Sequence, residues 1–216
     1  AIMAFWNAPL DVEGHAVLAC DTALAMQARL RELNRDWKAE AEAEGRGHIP
    51  VNIGVGLNTG QASVGNFGST QRFTYSCLGD DVNLASRLEG QCKTYGVGII
   101  IGDKTRLKAP DHAALELDLI TVKGKTEPEH VHALLGDLAM ARTPAYQELV
   151  RRQAAMLAHY RGGGFAAALG MIAGCQAAAA EVGWEQSYYD MMSERMAELI
   201  EDPPPDWTGV YVAKEK

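Results

Sequence analysis

The chain contains the run Arg72-Phe-Thr-Tyr-Ser-Cys-Leu-Gly-Asp-Asp-Val-Asn-Leu-Ala-Ser-Arg87. This run predicts a strand, a turn at Gly79, and a helix capped by Asp80 or Asp81. Asn83 and Arg87 are four residues apart, so they share one face of that helix. An amide and a guanidinium side by side near a helix start suit a ribose ring and a phosphate group. The alternative reading is a solvated helix face.

The gross composition limits the classes of function. The chain has 216 residues, 47% hydrophobic and 22% charged, as in ordinary globular proteins. The net charge of -8 argues against nucleic acid or an acidic membrane as a partner. The four cysteines lack CxxC spacing, which favours reduced thiols over a zinc site or a disulfide framework. No apolar run approaches the roughly 20 residues that span a bilayer. We therefore expect a soluble, cytoplasmic chain.

Strand and helix patterns alternate through the first part of the chain. Helices are predicted over 12–44 and from Asp103, and strands over 2–6, 51–57, 73–78 and 96–101. Residues 62–66 are predicted to return as the hairpin partner of 51–57. A last hairpin joins 117–122 to 130–135. This mixture favours an α+β sandwich over a pure Rossmann sheet.

The composition changes at about Asp137, after which the chain is rich in alanine. Helices are predicted over 144–160, 165–182 and 184–200. We therefore divide the chain into a first domain, 1–136, and a helical tail, 137–216. Residues 155–169 resemble one tetratricopeptide-like helix pair. Because stable solenoids usually need about three repeats, we expect the tail to pack on the first domain or on a protein partner; a C-terminal cap without a binding role is the alternative.

Several runs, in order along the chain, resemble one known family. Leu78-Gly-Asp-Asp-Val-Asn-Leu-Ala-Ser-Arg-Leu-Glu89 closely resembles the signature of class III nucleotide cyclases, the adenylate/guanylate cyclase catalytic domain. Five further runs match: the opening apolar run at 1–6, the glycine-bearing runs at 51–60 and 65–68, and the runs at 95–97 and 122–125. The resemblance covers about 1–136. It implies the ferredoxin-like nucleotide cyclase fold, an α/β sandwich of the α+β class, here followed by an all-α C-terminal extension.

The resemblance also implies roles for single residues. Asn83 matches the family's ribose-orienting asparagine, and Arg87 matches its transition-state arginine. One lysine of Lys123-Gly-Lys125 matches the phosphate-binding lysine, with Lys125 favoured. A solvated hairpin tip is the alternative reading of the two lysines.

The choice of base in this family depends on the residue three positions before Gly79, which here is Ser76. Serine at this position resembles the adenylate-making members and favours ATP over GTP. The neighbouring Cys77 points to the opposite face of the strand, so we expect it in the core.

The family implies two Mg²⁺ or Mn²⁺ ions and a head-to-tail homodimer. Its two metal-binding aspartates, and the lysine that pairs with adenine, would match positions before Ala1. Asp11, Asp80 and Asp81 are poor substitutes, so we expect no metal site in this chain. Residues 1–216 alone are therefore predicted not to cyclise ATP, even as a homodimer.

The family's opening strand would lie between the strands predicted at 2–6 and 51–57. Without it, two apolar strand edges are expected to lack a partner. We expect either that the natural polypeptide includes that strand or that another chain pairs with these edges.

The leading hypothesis is a bacterial-type adenylate cyclase catalytic domain with a helical tail, which converts ATP to 3',5'-cyclic AMP and pyrophosphate at a dimer interface. Such cyclases often follow membrane-anchored sensor segments. The alternative is a non-catalytic cyclase-like module that binds nucleotide or dimerises, with the tail as a protein adaptor. Asn83, Arg87 and a lysine pair together favour chemistry, because a scaffold has no need of them. No GxxxxGK[ST] or GxGxxG run supports an unrelated phosphate-binding domain.

Overall fold

A computed structural model describes residues 2–69, 72–121, 127–184 and 187–212. The helices of these residues are α1 (His15–Ala43), α2 (Asp80–Tyr95), α3 (Asp103–Lys108), α4 (Leu138–Ala141), α5 (Pro144–Arg161), α6 (Phe165–Glu181) and α7 (Tyr188–Glu201). The strands are β1 (Val55–Leu57), β2 (Ser63–Ser69), β3 (Arg72–Leu78), β4 (Ile99–Gly102), β5 (Ala113–Thr121), β6 (Glu129–Gly136) and β7 (Tyr211–Val212). The α+β class and the helical C-terminal region are confirmed. None of the described helices is long and apolar enough to cross a membrane.

The central sheet has five strands in the order β1-β4-β6-β5-β7. β1 pairs with β4 in parallel, and β6 pairs antiparallel with both β4 and β5. β7, which the sequence did not predict, pairs in parallel with β5 through Ile120 and Tyr211. The chain therefore returns to the sheet after the last helix.

The partner predicted for residues 62–66 was wrong. These residues belong to β2, which pairs antiparallel with β3 in a separate two-stranded sheet. One edge of β1 is taken by β4. The loop after β1 is bound to α2 instead of closing a tight turn, since the Gln61 N–H donates to the Asp81 carboxylate. Among the described residues, no strand pairs with the other edge of β1.

The strand predicted at 2–6 was also wrong, because the structure has no regular element there. These residues lie against β3 instead. The ring centroids of Phe5 and Tyr75 are 6.0 Å apart, and the sulfur atoms of Met3 and Cys77 are 3.8 Å apart. Side-chain contacts therefore replace strand pairing, and only one of the two predicted free edges, that of β1, is present.

The sheet separates two apolar layers. Ile99, Ile100 and Ile101 are all buried, but successive residues of a strand point to opposite faces. Ile99 and Ile101 pack with Cys20 of α1 on one face. Ile100 belongs to the larger cluster on the other face, which contains α2 and the tail helices. This alternation explains why the strand is apolar throughout.

The tail shares the larger core with the first domain. One continuous cluster includes Leu88 of α2, Leu117 of β5, Tyr160 of α5 and Met192 of α7. The change in composition near Asp137 is therefore not matched by a break in packing. The domain boundary at 136/137 stays a prediction from composition.

Helix α2 lies so close to β1 that glycine is required between them. A Cβ atom on Gly56 would lie 2.2 Å from the carbonyl oxygen of Ala85 and 2.3 Å from the backbone nitrogen of Glu89. Gly56→Ala should therefore lower the free energy of unfolding by about 1–3 kcal/mol, as over-packing does. The measurement is urea denaturation.

Gly90→Ala is the matched control, because Gly90 lies in α2 with nothing within 4 Å of an added Cβ. Alanine there should raise the free energy of unfolding by about 0.5–1 kcal/mol. Equal urea midpoints for Gly56→Ala and the wild type would show that β1 and α2 are not packed as described.

Candidate active site

Helix α2 presents the two residues that the sequence singled out. Its inward stripe contains Leu84, Leu88 and Cys92, all buried, at the spacing of an amphipathic helix. Asn83 and Arg87 precede two of these positions by one residue, so they lie beside the stripe on one face. Asn83 is exposed and Arg87 is half-buried. Both side chains can therefore be reached from outside, while the helix beneath them is fixed in the core.

The start of α2 differs from the prediction. Gly79 is the N-cap residue, and no side chain caps the helix, so the predicted cap by Asp80 or Asp81 was wrong. Asp81 instead points to the loop after β1. Its Oδ2 accepts the N–H of Gln61 at 3.1 Å, and its Oδ1 accepts from Nδ2 of Asn58 at 3.2 Å.

Asn58 strengthens this link with a second bond, since its Nδ2 also donates to the backbone oxygen of Asp81 at 3.0 Å. Nζ of Lys104 in α3 lies 3.5 Å from Oδ1 of Asp81. Asp81 therefore joins the start of α2 to the β1 loop and to α3. This role of Asp81 was not predicted, because the contact joins residues 23 positions apart in the sequence. In the sequence, the run Asn58-Thr-Gly60 favours a turn at this place.

The strand before α2 carries Ser76 and Cys77. Cys77 is buried and Ser76 is half-buried, and Ser76 lies opposite Gly65 in the hairpin register. The strand β3 leads through Gly79 directly into α2, so Ser76 and Asn83 flank one strand–helix turn. The predicted contact of Ser76 with a purine is not tested by this placement. Lys123 and Lys125 lie outside the described residues.

The carboxylates near α2 do not form a metal site. Within residues 2–69, 72–121, 127–184 and 187–212, no group of three or more His, Cys, Asp or Glu side chains could hold a metal ion. Asp81 is already bound by Asn58 and Gln61. The described residues therefore do not fit a two-metal centre.

A cleft of about 370 Å³ lies elsewhere, between β5, β6, α3 and α5. None of the predicted site residues lines it. Its charged groups pair with one another: Glu116 accepts from His130 Nδ1 at 2.5 Å and from Arg161 at 2.7 Å, and Arg106 bonds to Asp103. We therefore assign no ligand to it.

His132 is the most buried ionisable residue that lines this cleft, with only 6% of its surface exposed. Its Nδ1 has no hydrogen-bond partner. Burial lowers the pKa of His132 to about 4, so the imidazole is neutral at pH 7. The sequence contains a signal for this cluster. His130 and His132 are two residues apart in β6, and β6 pairs with the strand that carries Glu116.

The chain is similar to nucleotide cyclases. Residues 1–136 match the family described as Adenylate and Guanylate cyclase catalytic domain. Adenylate cyclase 1 of Rhizobium meliloti is 32% identical over 144 residues, which are 66% of this chain and 21% of that protein. The adenylate cyclase of Anabaena cylindrica is 33% identical over 131 residues, or 59% of this chain and 25% of that protein.

Two crystal structures are also similar. The guanylyl cyclase Cya2 matches with a TM-score of 0.50 and 30% identity, covering 60% of this chain and 62% of that one. The adenylyl cyclase CyaB from P. aeruginosa matches with a TM-score of 0.51 and 31% identity, covering 59% and 63%. The chain thus spans a quarter or less of the two curated relatives and under two thirds of either structure.

Two aspartates in the first turn of α2 provide a test of how the helix is fixed. Asp81→Ala removes a half-buried carboxylate with several donors, so it should lower the free energy of unfolding by about 1–3 kcal/mol. Asp80→Ala, at the adjacent exposed position, should change it by less than about 0.5 kcal/mol. Urea denaturation measures both. Equal effects would contradict the role given to Asp81.

His132 should make the fold sensitive to acid. Its pKa of about 4 in the folded chain lies below the ordinary 6.5, so between these values the unfolded chain binds the extra proton. The free energy of unfolding should therefore fall by about 3 kcal/mol as the pH drops from 7 to 4. In denaturation at several pH values, His132→Gln should flatten this slope, whereas His159→Gln, at an exposed position, should keep it. Identical slopes for both variants would refute this origin.

Proposed function

The chain belongs to the adenylate and guanylate cyclase catalytic domain family, and we propose that it forms one side of an adenylate cyclase site that converts ATP to 3',5'-cyclic AMP and pyrophosphate. The observation that carries the proposal is the placement of Asn83 and Arg87 on one accessible face of α2. The helix is bound at its start through Asp81. A guanidinium and an amide on one face of a fixed helix suit phosphoryl chemistry on a ribose.

In the proposed reaction the ribose 3' oxygen attacks the α-phosphorus. The new bond joins O3' to this phosphorus, the bond to the bridging oxygen of the β-phosphate breaks, and pyrophosphate leaves. The proton of the 3' hydroxyl is lost to solvent. Arg87 donates to the oxygens on which negative charge grows, and Asn83 orients the ribose ring. Lys125 or Lys123 neutralises the leaving phosphates.

We propose ATP as the nucleotide, with Ser76 facing the purine. The half-buried Ser76 and the buried Cys77 support this, because the serine is the more accessible of the two. The names of the relatives do not decide the question, since one similar structure is a guanylyl cyclase and the other an adenylyl cyclase. Such chemistry is expected in the cytoplasm, and the cysteines, all four of them free and buried, are compatible with it.

The proposal includes a head-to-tail homodimer. Apolar side chains on β3 support a protein contact there: Phe73 is 65% exposed, and Tyr75 and Leu78 are also exposed. Exposed apolar side chains grouped in this way mark interaction surfaces. Because β3 leads into α2, a partner on this hairpin would lie next to Asn83.

The proposal also includes Mg²⁺ or Mn²⁺, which would neutralise the triphosphate when bound. Two aspartates from outside residues 1–216 are proposed as their carboxylate ligands. Residues 1–216 alone are therefore proposed to bind ATP without cyclising it.

A second function is a nucleotide-binding or dimerisation module without catalysis. It is favoured by one observation, that the described residues contain no cluster suited to a metal. A lasting failure of the natural polypeptide to make cyclic AMP would select this second function.

The test is cyclic AMP formation from ATP, and cyclic GMP formation from GTP, with Mg²⁺ or Mn²⁺. A chain extended upstream to include two metal-binding aspartates should make cyclic AMP, whereas residues 1–216 should not. In the extended chain, Arg87→Ala should lower kcat by about 10²–10³-fold, as loss of a charge-stabilising donor does.

Lys93→Ala is the matched control, because it removes an exposed cation from the same helix. It should leave kcat unchanged. Full activity of Arg87→Ala would remove Arg87 from the mechanism, and cyclic AMP made by residues 1–216 would contradict the proposed inactivity.

A further inference from the structure

A buried carboxylate joins the C-terminal helices to α2. Asp118 of β5 is 0% exposed and Arg195 of α7 is 7% exposed. Nη1 of Arg195 donates to Oδ2 of Asp118 at 2.5 Å, and the hydroxyl of Tyr95 donates to the same oxygen at 2.7 Å. Tyr95 is the last residue of α2. One oxygen atom therefore holds the end of α2 and the last tail helix together.

Asp118 and Arg195 each make further contacts in this cluster. The Leu119 N–H donates to Oδ1 of Asp118 at 2.8 Å. The guanidinium carbon of Arg195 lies 3.6 Å from the ring centroid of Tyr211 and 5.4 Å from that of Tyr95, within the range of cation–π attraction. Burial and the charge of Asp118 raise the pKa of Tyr95 well above its ordinary value, so the phenol keeps its proton and remains a donor.

A second contact lies one residue further along. Gly96, which ends α2, is packed against Ser187, the residue before α7: a Cβ atom on Gly96 would lie 1.9 Å from Oγ of Ser187. The end of α2 is therefore packed against the residue that precedes α7. The tail contacts this helix through the side chain of Ser187 as well as through the charged cluster.

Stability alone is a weak explanation of such a pair. Two charges taken out of water are often no more stabilising than apolar side chains of the same volume. A buried ion pair does, however, fix one geometry, because any displacement leaves a charge without its partner. The Arg195–Asp118–Tyr95 cluster fits the second role.

We propose that Arg195 and Asp118 are positioning residues for α2, which hold the helix at Tyr95 so that Asn83 and Arg87 stay in place for the nucleotide. This inference rests on the proposed function. Arg87 precedes Tyr95 by about two helical turns, or roughly 12 Å. The tail is then a part of the nucleotide site's support rather than an adaptor for another protein.

Hydrogen exchange on residues 1–216 tests the coupling. Tyr95→Phe removes one oxygen at the α2 side of the cluster, and Arg195→Lys changes the tail side. Each should speed amide exchange in the 83–87 segment by about tenfold while leaving α1, on the other face of the sheet, unchanged. Arg151→Lys, at an exposed arginine of α5, should change neither.

The double variant Asp118→Asn with Arg195→Met separates positioning from simple stability. It removes both charges and leaves neither one buried without a partner, so its urea midpoint should be close to that of the wild type. Exchange in 83–87 should stay fast, because the link from the tail is still missing. The positioning role is overturned if the amide exchange rate rises equally in α1 and α2. It is also overturned if the exchange rate in 83–87 and the urea midpoint both return to their wild-type values.

Binding of a fluorescent ATP analogue connects this coupling to the site. Arg87→Ala, Tyr95→Phe and Arg195→Lys should each weaken binding severalfold. If Arg87→Ala leaves affinity unchanged while α2 exchange still responds to Tyr95→Phe, the proposed function fails and the mechanical coupling stands. If Arg87→Ala weakens binding but the Tyr95 and Arg195 variants change neither affinity nor exchange, the inference is overturned.

Discussion

The close backbone contact between β1 and α2 at Gly56 determines where the candidate site lies. No side chain larger than hydrogen fits there, since an added Cβ would lie 2.2 Å from the carbonyl oxygen of Ala85. Asp81 binds the start of the helix to the loop after β1, and Tyr95 binds its end to Asp118. A helix held at its start, middle and end is a rigid support for two accessible side chains. Apolar packing of the buried stripe stabilises α2, while these three contacts determine where the helix lies.

Local sequence patterns predicted the elements that depend on local periodicity. The long α1, the strand–turn–helix around Gly79 and the three tail helices were found, because apolar spacing and turn residues determine them. The pairing of β2 was not, since it depends on the loop after β1, which is bound to Asp81 of α2 instead of closing a tight turn. The Arg195–Asp118 pair was also missed. Its partners lie 77 residues apart, and neither shows in sequence that it will be buried.

The match to the nucleotide cyclase family covers less of the chain than the apolar core does. The family match ends at residue 136, whereas the largest apolar cluster continues into α5, α6 and α7. Composition alone suggested a separate tail, but packing makes it a layer on the same sheet. The metal ligands that cyclase chemistry calls for are not found among the described residues. In our proposal the described residues form the nucleotide-holding side of a site, and its metal-holding side lies elsewhere.

The central claim is that Asn83 and Arg87 hold the nucleotide. A crystal structure of the chain with a non-reactive ATP analogue tests it most directly. The account predicts a guanidinium nitrogen of Arg87 within about 2.7–3.2 Å of a phosphate oxygen, and the Asn83 amide at the same distance from the ribose. An analogue seated in the cleft beside His132, with both side chains of α2 left untouched, would contradict it.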